Sequence, residues 1–301
     1  MNKDSVNHGL GVYFILLLPP LFWSGNFVVG RAVADANAPL GLSFSRWMLA
    51  FFLLLPFAIK PIWQQRHIIK SHFWGITLLA VLGITGFNSI AYIALQYTTA
   101  TNATLLNSFI PIFIFVISVV FFKEKITLKQ VLGVLVSLLG VVAIITRLDI
   151  AVIQHLTINI GDLWMLLAAL VWALYSILLK YLKPKEMSAI AFLTTIIFIG
   201  STVLYPITLW NPFNEPDIVW NGTMIKAVFY IAVFPSIVAY LAWIYGLNII
   251  GAAKGGQFIH LMPFFGAILA VVFLGEKIQL FHLVGGCCIA LGLWLSLSKA
   301  R

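Results

Sequence analysis

Residues 94–140 read ALQYTTATNATLLNSFIPIFIFVISVVFFKEKITLKQVLGVLVSLLG, and the chain carries this stretch twice. Shifting the sequence against itself by 152 places, without a gap, sets Pro111 on Pro263 and Phe113 on Phe265. The same register aligns Glu124-Lys125-Ile126 with Glu276-Lys277-Ile278, Gly133 with Gly285, and Gly140 with Gly292. Leu95 falls on Leu247 and Ala100 on Ala252. An ungapped match of this length marks an internal duplication, which has to be read before any single residue. Earlier in each half the agreement continues at an offset of 149, with Trp23 on Trp172 and Arg31 on Lys180.

The repeated unit is built for lipid. Of 301 residues, 62% are hydrophobic and 9% charged, against roughly 25% charged in ordinary soluble domains. Apolar runs near 20 residues, enough to cross about 30 Å of hydrocarbon, recur along the chain. They predict spans at 11–34, 40–59, 73–96, 100–122, 127–146, 161–182, 187–210, 224–249, 252–274 and 279–297. Backbone polar groups cannot be left bare in lipid, so runs of this length read as helices. The expected fold is an all-α polytopic membrane protein of ten transmembrane helices, two five-helix repeats at 12–146 and 161–296. Lys3 before an apolar run and the small residues around Ala34 and Ala36 resemble a leader peptide. Because the first span has a mid-chain partner around Trp172, it is read as a retained helix.

With the N-terminus inside, thirteen Lys and Arg fall in cytoplasmic segments and four outside, leaving Arg46 within a span. This positive-inside bias places both termini in the cytoplasm; the expected location, with the transporter reading below, is the cell inner (plasma) membrane. The net charge of +9 is thereby accounted for by orientation and anionic lipid, with no nucleic-acid partner required. An odd number of spans per repeat sends the second half in upside down, an arrangement that recurs in secondary transporters.

Trp23-Ser24-Gly25-Asn26-Phe27, Phe44-Ser45-Arg46-Trp47-Met48-Leu49-Ala50 and the two blocks from Pro111 to Glu124-Lys125 and Pro263 to Glu276-Lys277 resemble the drug/metabolite transporter superfamily, in its EamA-type ten-helix members. The resemblance covers nearly the whole chain; Lys123 stands where the pattern commonly has Gly, as Gly275 does in the second half. It implies a transporter, with relatives that export amino acids and related metabolites and others that move vitamins or nucleotide-linked compounds. It also implies an Arg at the position of Arg46, read as mainly structural.

Polar side chains within spans face a bundle interior or a water-filled cavity. Helical spacing pairs Trp23 with Asn26, Asn88 with Tyr92, Tyr240 with Trp243 and Gln257 with His260, and groups Trp172, Tyr175 and Ser176; Asn107 lies a turn before Pro111. Trp23, Asn26, Asn88, Tyr92, Asn107, Trp172, Tyr175, Tyr240, Trp243, Gln257 and His260 are the candidate substrate-binding residues. The alternative for the aromatics is interface or packing, and for the amides a hydrogen bond between helices. Pro111 and Pro263 kink their helices, as hinges or simply as fitted bends.

Arg46 must find a carboxylate, carbonyls or water, or snorkel to the outer interface; attraction for an anionic substrate is the other reading. Every Asp and Glu falls at a span end or in a loop, which disfavours a carboxylate-based proton antiporter. His260 is the mid-span group with a neutral-range reference pKa, a packing residue or a proton site. Neighbouring Cys287 and Cys288 point to different faces of one helix, and no metal or cofactor motif is present. Gly133, Gly140, Gly285, Gly286 and Gly292 suggest a scaffold seam or a homodimer contact.

The expected function is secondary transport of a small organic solute by alternating access within the lipid bilayer, most plainly efflux of amino acids or related compounds. Uptake of a riboflavin-like vitamin by the same fold is the alternative. An intramembrane enzyme would need facing acid/base pairs or metal ligands in mid-span, and the sequence offers none.

Overall fold

The computed structural model describes residues 10–32, 38–98, 100–149, 151–152, 159–212, 214–274 and 277–298. The leader-like residues 33–37, the side chain of Arg31, Gly275 and Glu276 lie outside the described residues. After a short turn of helix at Gly11–Ile15 come α1 (Leu18–Ala32), α2 (Pro39–Gln64), α3 (Phe73–Tyr97), α4 (Asn102–Val120), α5 (Leu128–Thr146), α6 (Ile160–Leu182), α7 (Ala189–Trp210), α8 (Gly222–Ile250), α9 (Ala252–Phe273) and α10 (Leu280–Leu297). Among the described residues, nine of these, α2 to α10, are long and apolar enough to cross a membrane. The chain is a multi-pass membrane protein.

Local chemistry explains the helix starts. Thr127 with Gln130 and Asn159 with Asp162 form reciprocal capping boxes at α5 and α6, each satisfying backbone donors that a helix N-terminus leaves over. Ser188 and Asn221 cap the next two helices through Ala191 N and Met224 N. At α2 the carboxylate comes from elsewhere in the chain: Glu215 accepts from Leu40 N at 2.9 Å. Burial raises the Glu215 pKa above the usual carboxylate value, and the N–H groups of Leu40 and Gly41 oppose that shift. The expected end of the second span at residue 59 is too early. The helix runs through Lys60 and Pro61 to Gln64, because Pro61 gives up one hydrogen bond but its carbonyl still accepts from Gln65 N.

The halves interlock with two-fold regularity. Helix α2 packs on α7 and α5 on α10, each against its own repeat mate, while α1 on α9 mirrors α6 on α4 and α1 on α8 mirrors α6 on α3. Equivalent helices run antiparallel. Phe44 meets Tyr205 at 5.3 Å and Phe51 meets Phe198 at 5.5 Å, so ascending numbers on α2 face descending numbers on α7. The repeats are therefore inverted.

The α5/α10 seam repeats that geometry with glycine. A Cβ at Gly133 would lie 2.5 Å from the Gly292 carbonyl oxygen, and one at Gly140 would lie 2.6 Å from that of Gly285. Backbones this close exclude any side chain, the packing mode that replaces the hydrophobic effect between helices in lipid. The glycines expected to serve a scaffold or a dimer are thus engaged within the chain.

Four helices are interrupted, at matching places in the two repeats. Helix α3 widens to a π-turn over Val81–Gly86, and α8 does so over Ala232–Val238. Helix α4 breaks between Asn107 and Ile110, just before Pro111. Helix α9 tightens to a 3-10 turn over Gly256–His260, just before Pro263.

Replacing Gly140 with Leu should lower the detergent melting temperature by the equivalent of about 1–3 kcal/mol, the usual penalty of overpacking. Gly266, where a Cβ would meet nothing within 4 Å, should accept Ala without loss. Equal melting curves for Gly140→Leu, Gly266→Ala and the parent would exclude the close seam.

Candidate functional site

The interruptions surround a cavity where helices of both halves converge. Its volume is about 60 Å³, narrow beside the roughly 300–1,000 Å³ of pockets that enclose a drug-sized ligand. Trp23 and Asn26 reach it from α1, Arg46 from α2, Phe87, Asn88 and Tyr92 from α3, and Asn107 from α4. The second half supplies Trp172 from α6, Pro235 and Tyr240 from α8, and Met262 from α9.

Its wall is an aromatic cluster with edge-to-face geometry, the arrangement ring quadrupoles favour. Trp23 meets Trp172 at 5.2 Å and 90°, and Trp172 meets Tyr240 at 5.4 Å and 79°. Phe87 lies 4.8 Å from Trp172. These rings also cap backbone freed by the π-turns. Tyr240 Oη donates to the Gly83 carbonyl at 2.7 Å, and Trp23 Nε1 to the Pro235 carbonyl at 3.1 Å. Both bonds cross between the halves. Since Pro235 has no N–H, Ser236 Oγ serves the Ile231 carbonyl at 2.9 Å.

Arg46 contributes the charge of the cavity. Only 2% of it is exposed. Its Nη2 donates to Asn88 Oδ1 at 2.6 Å and its Nη1 to Tyr92 Oη at 3.4 Å, while Nε has no partner among the described residues. The guanidinium also lies 4.6 Å from the Trp47 ring centroid. Arg46 therefore points inward against α3 and lines the cavity instead of snorkelling to the interface. Asn107 donates through Nδ2 to Met262 Sδ at 3.6 Å, and its Oδ1 is buried without a partner among the described residues.

Of the sequence candidates, Trp23, Asn26, Asn88, Tyr92, Asn107, Trp172 and Tyr240 line the cavity. Tyr175 and Trp243 stand one layer back. The Tyr175 ring covers Gly83, where a Cβ would lie 2.6 Å from it, and Trp243 Nε1 donates to Ser176 Oγ at 3.3 Å. Gln257 and His260 face away, toward α5 and α10. Gln257 Nε2 donates to Ser296 Oγ. His260 Nε2 meets the Ser108 carbonyl at 3.0 Å and Nδ1 meets Ser137 Oγ at 2.7 Å. A carbonyl only accepts, so Nε2 carries the hydrogen and Nδ1 accepts from the serine hydroxyl. His260 thereby ties the break in α9 to the break in α4. Pro111 and Pro263 occupy the first turn of the helix that resumes after each break. Phe87, Ile110, Met165, Pro235, Ile259 and Met262 also line the cavity. Of these only Pro235, a proline in mid-span, carried a readable signal. Among the described residues no group of His, Cys, Asp and Glu could hold a metal ion.

His260→Ala should lower stability by about 1–3 kcal/mol, since it strips a buried carbonyl of its donor, and should leave the pH profile of transport where it was. A shifted pH profile in a variant of unchanged melting temperature would instead mark His260 as a proton site.

Comparison with known proteins agrees with this architecture. An uncharacterized transporter of Archaeoglobus fulgidus is 29% identical over 295 residues, covering 95% of this chain and 97% of its own. The uncharacterized transporter YyaM of Bacillus subtilis is 27% identical over 288 residues, covering 94% of this chain and 92% of its own. A solved crystal structure superposes with a TM-score of 0.77 at 17% identity, over 95% of this chain and 97% of the other, which is likeness of fold. The EamA-like transporter family matches residues 10–146 and again residues 159–298. With both halves so matched, the chain belongs to the EamA-like transporter family.

Proposed function

We propose that the protein carries small organic metabolites across the plasma (inner) membrane by alternating access, as a secondary transporter whose net direction is efflux of amino acids or related compounds. One observation carries the reading. A cavity lies where the two inverted halves meet, and its wall is drawn from α1 to α4 of one half and α6, α8 and α9 of the other. A site on the axis between inverted repeats is the geometry in which rocking one half against the other exposes the same residues to either side in turn.

In this mechanism the repeats, 12–146 and 161–296, move as units. The breaks in α4 and α9 and the π-turns in α3 and α8 take up the bending. Rings of Trp23, Trp172 and Tyr240 receive the apolar body of the solute, and Arg46, Asn26, Asn88 and Asn107 receive its polar groups. An amino acid has both parts. Both termini lie in the cytoplasm on the Lys and Arg distribution. Glu124, Lys180 and Tyr181 then share the cytoplasmic face, where Lys180 Nζ lies 2.6 Å from Glu124 Oε1.

Counterflow into proteoliposomes, with a panel of labelled amino acids and with riboflavin, tests the proposal. Saturable amino-acid exchange is expected, and Trp172→Ala should reduce it at least tenfold while still inserting and purifying as the parent does. Exchange of riboflavin in place of amino acids would transfer the substrate reading to vitamins. Full flux in a well-folded Trp172→Ala variant would remove the aromatic cluster from the pathway.

A further inference from the structure

The charge of the cavity narrows its substrate. Among the described residues Arg46 is the one charged side chain in the lining, with no Asp, Glu, Lys or His beside it there. Asp162, one turn before Met165 on α6, is spent as a cap: it accepts from Thr98 Oγ1 and Asn102 Nδ2 through Oδ1 and from Asn159 N through Oδ2. Arginine keeps its proton in proteins, so its charge is permanent. A buried cation normally sits against a carboxylate or several strong acceptors. Arg46 has an amide oxygen at 2.6 Å and a phenol oxygen at 3.4 Å, both neutral, with Nε unpaired.

Asn88 Nδ2 is a second buried donor without a partner among the described residues, and the third such group in the lining is of opposite sense. Asn107 is 4% exposed, its Nδ2 is committed to Met262 Sδ, and its Oδ1 is an acceptor without a donor among the described residues. A neutral amide oxygen satisfies a hydroxyl or N–H donor but does little to balance an ammonium charge. A zwitterion would therefore leave the cavity as positive as it was, whereas a monoanion neutralises it.

We infer that the site selects organic monoanions: one carboxylate for the guanidinium fork of Arg46, an aromatic or branched apolar body for the Trp23, Trp172 and Tyr240 wall, and a neutral donor for Asn107 Oδ1. Among the amino acids and related compounds of the transporter reading, such a site favours 2-hydroxy acids and N-acylated amino acids over free amino acids, and both over amines. The inference rests on the transporter reading for its physiological meaning and narrows the related compounds of that reading to acids without a free ammonium group. A carboxylate meets arginine through two parallel N–H donors, which lysine cannot reproduce.

The test is ligand-induced thermal stabilisation of the purified full-length protein in detergent, at neutral pH, with four probes of one shape: 3-phenyllactate, 3-phenylpropionate, phenylalanine and phenethylamine. Phenyllactate should bind at least tenfold more tightly than phenylalanine, with phenethylamine weakest and phenylpropionate a few-fold behind phenyllactate. Arg46→Gln should abolish the preference for anions, and Arg46→Lys should weaken phenyllactate at least threefold while keeping the order. Asn107→Leu should bring phenyllactate and phenylpropionate within twofold of each other. Should Arg46→Gln fail to fold, Arg46→Lys and Asn107→Leu decide the matter. Phenylalanine or phenethylamine binding as tightly as phenyllactate, or an anion preference untouched by substitution at Arg46, overturns the inference. Binding needs no flux, so Arg46-dependent anion binding without counterflow would remove the transporter reading and keep this one. Amino-acid counterflow without anion preference would do the reverse.

Discussion

In hydrocarbon a carbonyl oxygen without a donor costs several kcal/mol, because no water is at hand to replace a lost helical bond. That constraint governs this chain wherever its helices depart from α geometry. The π-turn of α3 is capped by Tyr240 from α8, and that of α8 by Trp23 from α1. The break of α4 is capped by His260 from α9, and past the break in α9 the Met262 carbonyl accepts from Ser24 Oγ of α1 at 2.7 Å. Each donor belongs to the half opposite its acceptor. The irregularities that open a cavity are thus the places where the halves hold each other.

The same side chains serve packing and lining together. Trp23 has its N–H in a backbone cap and its ring in the cavity wall, and Tyr240 divides itself in the same manner. Their orientation is fixed from one end by a hydrogen bond while the ring remains available to a solute. Preorganised aromatic surface of this kind binds without the entropy of ordering long side chains.

Much of the fold was legible because duplication and apolar run length are properties of sequence alone. Helix ends came within a few residues, except at α1, where the expected start at 11 falls on a separate turn before Leu18, and at α2, where an apolar run that stops at Lys60 misrepresents a backbone that continues through Pro61. The site was legible in part. Asn26, Asn88 and Asn107 stood out as polar groups in mid-span, and they do line the cavity. Gln257 and His260 stood out equally and do not, because they lie in the 3-10 turn of α9, where three residues per turn replace 3.6 and rotate the following face. Ile259 and Met262 take the cavity side instead, and an apolar residue in an apolar helix announces no face. The position of Arg46 depended on Asn88 and Tyr92 of a neighbouring helix, a contact between elements that no single helix reveals.

The glycine seam bears on how the protein is made. Gly133 and Gly140 belong to the first repeat, but the carbonyls they pack against belong to α10 in the second. Until that helix inserts, α5 presents a bare strip of backbone to lipid with nothing of matching shape to close it. Closure of the scaffold therefore waits for α10 and joins parts of the chain that are distant in sequence, a non-local contact whose loop-closure entropy is met before the seam rewards it.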